Sequence, residues 1–229
     1  MTIKQLTRGI DDVDVIAEFM RQEPSIVESR RVSIRVVTGR YRGRLLQTPK
    51  GMRTRPASSR VREAVVSLLD ARGVLSAASV LDLFAGSAAY SIELLSRGAA
   101  QALCVDHAKA AIDAMQQNRA SLKLHEMMHI AREPLLRDPD QVMLRLQALQ
   151  QRYLSAPAFD IVIADPPYAH SAEFLPLLAL LVESPLTTEN SVYVIERALS
   201  AELNYPSSLA CTRTYNYGTT CIDLLGSAV

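Results

Sequence analysis

The chain has 229 residues, 48% of them hydrophobic, which is enough for one sizeable core with at most a small appendage. Its longest apolar run, FLPLLALLV at residues 174–182, contains Pro176 and falls well short of the ~20 residues a membrane-spanning helix needs. The net charge of +1 conceals a block at residues 30–62 with ten arginines, one lysine and no acid, so that the rest of the chain sums to −10.

Residues 1–29 contain a short amphipathic helical pattern, DVDVIAEFMRQ, closed by Pro24. Acids stand where a signal peptide would be apolar, so a cytoplasmic protein is expected. The basic block follows. It reads as a polyanion-binding surface, or as a solvated disordered arm. Strand-like alternation in VSIRVVTGRYRGRLLQ favours the first reading and predicts a hairpin over residues 32–47, with a turn at Gly39 and Arg42 and Arg44 on the second strand. TPKGMRTRPASS is a Pro/Gly/Ser loop, and Ser58 or Ser59 would cap a helix, RVREAVVSLLDAR, that stops at Gly73.

From residue 79 strands and helices alternate. SVLDLF is a buried strand and SAAYSIELLSR a helix; QALCVD and AKAAIDAMQQNRASLKL repeat the unit. EMMHIA is a weaker strand, residues 140–154 are helical, and FDIVIAD is a strong strand. A helix over residues 171–183 and the strand SVYVIE follow. LACTRTYNYGTTCIDLLG reads as a terminal antiparallel pair around a Tyr-Gly turn. The expected fold is α/β, a mostly parallel sheet covered on both faces. Three segments are expected: an extension at 1–31, a basic hairpin and helix at 32–73, and a catalytic domain at 74–229. Three cysteines (Cys104, Cys211, Cys221) show no CxxC or Cys/His spacing, so neither a metal nor a disulfide framework is expected.

In such sheets ligands bind beyond the carboxyl ends of the strands. The first tip, DLFAGSAAYS, has Gly86, Ala88 and Ser91 where a dinucleotide fingerprint wants three glycines, which disfavours a pyrophosphate. Asp106 stands twenty residues beyond Gly86, where a carboxylate commonly takes both ribose hydroxyls; it would otherwise be an exposed cap on the next helix. Together these features suggest a nucleoside ligand without a pyrophosphate, such as S-adenosylmethionine.

The tip ADPPY carries Asp165, stiffened by Pro166 and Pro167, with Tyr168 as a flat face. An acceptor carboxylate, carbonyls freed by the missing proline donors and a stacking ring suit a planar base with an exocyclic amine. That amine is a poor nucleophile because its lone pair is delocalised into the ring. Accepting hydrogen bonds from its N–H groups favours the pyramidal, nucleophilic form. In isolation, DPPY could equally be an ordinary proline turn.

The DPPY motif resembles that of methyltransferases acting on exocyclic amines of nucleic-acid bases. More narrowly, RVVTGRYRGRLLQTP, RTRPASSRVREAV, VLDLFAGSAAYSIELLSRGA and FDIVIADPPY together resemble the RsmD family of bacterial small-subunit ribosomal RNA guanine-N2 methyltransferases, over residues 32–226. The resemblance implies a Rossmann-like class I S-adenosylmethionine-dependent fold with a terminal antiparallel hairpin and a small N-terminal basic hairpin extension. It implies that Phe84, Ala85, Gly86 and Ser87 hold the methionine part of the cofactor, and that Asp106, with His107 beside it, holds the ribose. Asp165, Pro166, Pro167 and Tyr168 would hold the guanine amine. Arg40, Arg42, Arg44, Arg53, Arg55, Arg60 and Arg62 would grip phosphates of small-subunit ribosomal RNA or of an assembling small subunit. The protein would act as a monomer, without a membrane or metal. The chain departs from the family at Ala88, usually glycine, and at Ala131, where an Asp or Asn bonds the adenine amine unless Glu133 substitutes. Ala57 and Ser59 also differ from the usual residues.

Two other readings stay open on the residues: adenine-N6 methylation of DNA or RNA, and a non-catalytic RNA-binding or ribosome-assembly factor with a degenerate cofactor site. No cysteine lies in a PC context near the tips, so a covalent pyrimidine adduct is not expected.

Overall fold

Seven strands form one sheet whose order reverses at its centre. A computed structural model describes residues 34–50 and 59–228. The helix expected within residues 1–29, the loop at 51–58, and Arg53 and Arg55 lie outside those residues.

The first strands, β1 (Ile34–Arg35) and β2 (Leu45–Leu46), pair antiparallel. The ladder is much shorter than the hairpin expected over 32–47. The intervening residues 36–44 fold as a loop in which Gly39 and Gly43 both adopt positive φ (78° and 80°), so Arg42 and Arg44 stand before β2 rather than on it. Two left-handed glycines end a ladder that alternation alone would have extended.

Helix α1 (Ser59–Ala71) buries Val61, Val65, Val66 and Leu69, the spacing of one helical face, and ends before Gly73 at φ 71°. Then come β3 (Ser79–Leu83), α2 (Ala89–Ser96), β4 (Gln101–Asp106), α3 (Lys109–Leu122), β5 (Met128–Arg132), α4 (Pro139–Tyr153) and β6 (Phe159–Ala164). A 3₁₀ segment, Tyr168–Phe174, precedes α5 (Leu175–Glu183), so the helix expected over 171–183 is α-helical only from Leu175. Strand β7 (Thr187–Ala198) is followed by the antiparallel pair β8 (Leu209–Tyr217) and β9 (Thr220–Ser227), which turn at Gly218, φ 63°.

The sheet order is β5-β4-β3-β6-β7-β9-β8. Strands β5, β4, β3, β6 and β7 are parallel, while β9 pairs antiparallel with β7 and with β8. Alternate strand residues feed two apolar layers. Val80, Cys104, Ile161, Ile163, Val192 and Val194 pack with α1, α2 and α3 on one face. Leu81, Leu83, Val105, Val162 and Tyr193 pack with α4 and α5 on the other. This two-sided burial explains why β3 and β6 are almost continuously apolar. The chain order turns back between β3 and β6, and in open α/β sheets that reversal opens a crevice beyond the strand ends. Among the described residues no helix is long and apolar enough to cross a membrane, and no group of His, Cys, Asp or Glu is arranged to hold a metal.

Candidate active site

The reversal places two tips side by side: residues 84–88 after β3 and residues 165–168 after β6. The β6 tip is tied to β3 by Asp165 N–H donating to the Leu83 carbonyl at 3.4 Å. The β3 tip winds through three left-handed residues, Phe84, Gly86 and Ala88 (φ 60°, 56° and 57°). It is pinned to β4 by Ala85 N–H on the Val105 carbonyl, 3.1 Å, and by Gly86 N–H on Asp106 Oδ2, 2.9 Å. A Cβ on Gly86 would meet nothing closer than the Phe84 carbonyl at 4.0 Å, so the space over this turn is open.

Asp106 is buried rather than exposed. Its second oxygen accepts from Ala108 N–H at 2.9 Å, just before α3, so it ties the approach to that helix to the β3 turn without capping the helix. Each carboxylate oxygen has a further lone pair, which leaves Asp106 able to accept from a ligand hydroxyl. His107 is exposed, with Nδ1 3.7 Å from Asp106 Oδ1. Ala131 is buried on β5 opposite Val105 and offers no polar atom from its side chain. Glu133 is held by an ion pair with Arg145 at 2.6 Å, while its N–H donates to the Asp106 carbonyl.

At the β6 tip the two prolines are not equivalent. The expectation that both carbonyls are free is corrected at Pro167, whose carbonyl accepts from His170 N–H at 2.7 Å as the 3₁₀ segment begins. Pro166 is buried, and among the described residues its carbonyl accepts no hydrogen bond. Among the described residues, the acceptors left without a partner at this tip are therefore the Asp165 carboxylate and the Pro166 carbonyl. Tyr168 is 43% exposed, which leaves a ring face available, and its hydroxyl is tethered to Thr220 Oγ1 at 2.7 Å and Glu196 Oε1 at 3.4 Å.

Glu196 on β7 adjoins the candidate site through Tyr168, and sequence reasoning did not single it out. Its other oxygen accepts from the Tyr90 hydroxyl at 2.9 Å, so one buried carboxylate joins α2, β7 and the DPPY loop. Its only sequence signal was an acid in SVYVIE, two residues after Val194 and on the same strand face. Asp82 on β3 completes a row of acids on that sheet face. It accepts from Ser91 Oγ at 2.6 Å and from Ser91 N–H at 3.3 Å, near the start of α2. Burial pushes the Asp82 carboxyl up to about 7. Burial, with Glu196 and Asp82 nearby, holds Asp165 well above the usual carboxylate range, and burial raises Glu196 despite its two tyrosine bonds. A cationic ligand beside these carboxyls would favour their ionised forms.

A titration consequence follows for folding. Asp82 holds its proton more tightly folded than unfolded, so its contribution to stability is present below pH 3.8 and fades as pH rises through about 7. The thermal midpoint of the ligand-free protein should fall across that window, and Asp82→Asn, which keeps an acceptor for Ser91, should fall less steeply. Parallel slopes for the two proteins would remove Asp82 from this account.

The arginines divide. Arg40, Arg42, Arg44 and Arg60 are exposed. Arg40 lies 5.6 Å from the Tyr41 ring centroid, and Arg44 Nη2 donates to the Ser121 carbonyl at 2.8 Å. Arg62, expected among the phosphate-gripping arginines, is instead fully buried. It lies 3.7 Å from Glu93 and donates Nη2 to the Arg35 carbonyl at 3.1 Å. Its position on the apolar face of α1, between Val61 and Val65, turns it inward. Burial lowers its basicity and raises the Glu93 carboxyl, and their attraction only partly offsets this. Glu93 also accepts from Val37 N–H at 2.8 Å, so the pair fastens the basic loop to α1 and α2.

Comparison with known proteins gives matches over most of this unit. The family described as "Conserved hypothetical protein 95" matches residues 34–226. The Bacillus subtilis protein "Putative rRNA methyltransferase YlbH" is 30% identical over 192 residues, 83% of this chain and 97% of that one. "Ribosomal RNA small subunit methyltransferase D" of Escherichia coli is 40% identical over 90 residues, 39% of this chain and 44% of that one. The solved structure "Putative methyltransferase yhhF from Escherichia coli" aligns with TM-score 0.64 at 25% identity, covering 85% of this chain and 98% of that one. The architecture is the Rossmann-like class I methyltransferase fold.

Proposed function

The chain belongs to the RsmD family, and on that premise we propose that it transfers a methyl group from S-adenosylmethionine to the exocyclic N2 amine of a guanine in small-subunit ribosomal RNA. The observation that carries this reading is the juxtaposition, at the sheet's reversal, of an open left-handed turn at residues 84–88 with the Asp165 and Pro166 acceptors, which are unpartnered among the described residues. The names of the relatives support ribosomal RNA as substrate.

The residues fit the cofactor. Phe84, Ala85, Gly86 and Ser87 would hold its methionine part over the open turn, and Asp106, with His107 at the rim, would hold its ribose. The neighbouring carboxyls of Asp82, Asp165 and Glu196 suit a ligand carrying a sulfonium and an ammonium group. Ala88 is no obstacle to the turn, since it already holds the left-handed conformation that a glycine would adopt. When bound, the cofactor supplies an electrophilic methyl group.

On the substrate side, the Asp165 carboxylate and the Pro166 carbonyl each accept one amine N–H. Holding both draws the nitrogen towards pyramidal geometry and turns its lone pair towards the turn at residues 84–88. Tyr168, steadied by Thr220 and Glu196, stacks on the base. The proton released by the methylated amine passes first to Asp165, whose raised affinity for protons suits it to accept. Target guanine would have to leave its helix or lie in a loop to reach this seat.

Arg40, Arg42, Arg44 and Arg60 would contact phosphates, as would Arg53 and Arg55 outside the described residues. The logarithm of RNA affinity should fall linearly with the logarithm of salt concentration, with a slope of about −0.7 for each phosphate contact on a single strand. Arg42→Ala should make that slope shallower by about one contact; an unchanged slope would remove Arg42 from the interface. The function itself is tested by incubating the protein with labelled S-adenosylmethionine and small-subunit RNA, assembled subunits or duplex DNA. Label in the ribosomal substrate supports the reading, and label in DNA alone would overturn it.

A further inference from the structure

The basic loop and the cofactor turn are joined by one buried side chain. Asn118, on the inner face of α3, is 1% exposed and makes three hydrogen bonds. Its Oδ1 accepts from Gln47 N–H at 2.7 Å, and its Nδ2 donates to the Gln47 carbonyl at 3.0 Å and to the Ser87 carbonyl at 3.0 Å. Gln47 follows directly on β2, whose Leu46 is fully buried. Ser87 is in the open turn after β3. A single amide therefore links the backbone leaving the arginine-rich loop to the backbone that would carry the cofactor.

Other hydrogen bonds of this loop end elsewhere: Arg44 Nη2 donates to the Ser121 carbonyl, Arg62 Nη2 to the Arg35 carbonyl, and Ser96 Oγ and Arg97 Nη1 to Thr38. Val37 N–H and Thr38 N–H donate to Glu93, while Tyr41 N–H and Arg40 N–H donate to Ser96 Oγ and the Ser96 carbonyl. All four end on the later residues of α2. Asn118 hydrogen-bonds both Gln47, at the strand end of the basic loop, and Ser87, within residues 84–88. A buried amide with both ends satisfied is costly to disturb, because every lost bond leaves a desolvated group.

Resting on the proposed reading, we propose that Asn118 is a positioning residue that couples the two substrates: fixing the basic loop on RNA fixes Gln47, and through Asn118 fixes the Ser87 carbonyl and the cofactor turn. Whichever ligand binds first pays part of the ordering cost for the second, so each raises the affinity for the other by the same factor. A coupling of this kind is worth about tenfold.

The test is calorimetric titration of S-adenosylmethionine into the full chain, alone and with saturating in vitro transcribed small-subunit RNA. The readout is the ratio of the two dissociation constants, for wild type, Asn118→Ala and Asn118→Asp. Asn118→Asp keeps the shape and the acceptor for Gln47 N–H, but removes both donors. A thermal melt of each variant confirms that it is folded. The expected ratio is about ten in wild type and near one in both variants, whatever happens to either affinity alone. A purely structural Asn118 would lower affinities and leave the ratio unchanged, which overturns the inference. A wild-type ratio of one also overturns it, and does so even if neither variant folds. Absence of any cofactor binding by wild type would overturn the proposed function together with the inference.

Discussion

Replacing Asp165 by alanine is expected to lower methyl transfer by about 10²–10³-fold in kcat, the loss typical of removing one preorganised polar partner of a transition state. RNA affinity should stay within a factor of about three, because phosphate contacts carry most of it. Asp165 follows β6 with its carboxylate unpartnered among the described residues, and its N–H is anchored on Leu83. Removing the carboxylate leaves the Pro166 carbonyl as the single acceptor, so the amine remains closer to planar and its lone pair stays in the ring. Asp165→Asn should fall between wild type and alanine, since an amide oxygen still accepts but cannot take the proton. Single-turnover rates measured beside filter binding separate these effects. Normal turnover in Asp165→Ala would take Asp165 out of the mechanism.

The second large effect is expected at Gly39. A Cβ placed there would lie 2.0 Å from the Ser96 carbonyl oxygen and 2.5 Å from its carbon, and these are backbone atoms that cannot rotate away. The residue also sits at φ 78°. Gly39→Ala should therefore cost ~1–2 kcal/mol for the left-handed backbone and a further ~1–3 kcal/mol for the overlap. The loop's seat on α2 should loosen, with Arg40 N–H and Tyr41 N–H drawn from their bonds to Ser96. The expected outcome is a thermal midpoint several degrees lower and at least a tenfold loss of RNA affinity. Gly43→Ala provides the control, since a Cβ there meets nothing within 4 Å although φ is 80°. Equal losses in both variants would show that backbone strain, not docking on Ser96, matters.

The parallel sheet was legible because β3, β4 and β6 are short apolar runs separated by helical spacing, and because two-sided burial leaves no alternation to misread. The candidate site was legible only where its chemistry is local in sequence. DPPY and the turn at residues 84–87 each sit within one tip, and the order of strands brings those tips together. Arg62 was misplaced because a run of arginines has no marker for which one lies on the buried stripe of α1; Glu93, its partner, is thirty-one residues away in the chain. Glu196 was missed for a related reason. An acid ending an apolar strand is unremarkable until Tyr90 and Tyr168, from α2 and the DPPY loop, are seen to converge on it. The Pro167 carbonyl was taken as free because the loss of proline donors says nothing of who donates to proline acceptors, and the 3₁₀ turn at His170 supplied one.

The central claim is that the Asp165 and Pro166 acceptors present a guanine amine to a methyl donor held over residues 84–87. The most direct measurement is mass mapping of the methylated nucleotides in small-subunit ribosomal RNA from cells lacking this protein and from the same cells regaining either wild type or Asp165→Ala. One N2-methylguanosine is expected to be absent without the protein, restored by wild type and not restored by Asp165→Ala. A restored N6-methyladenosine, or a nucleotide pattern identical in all strains, would contradict it.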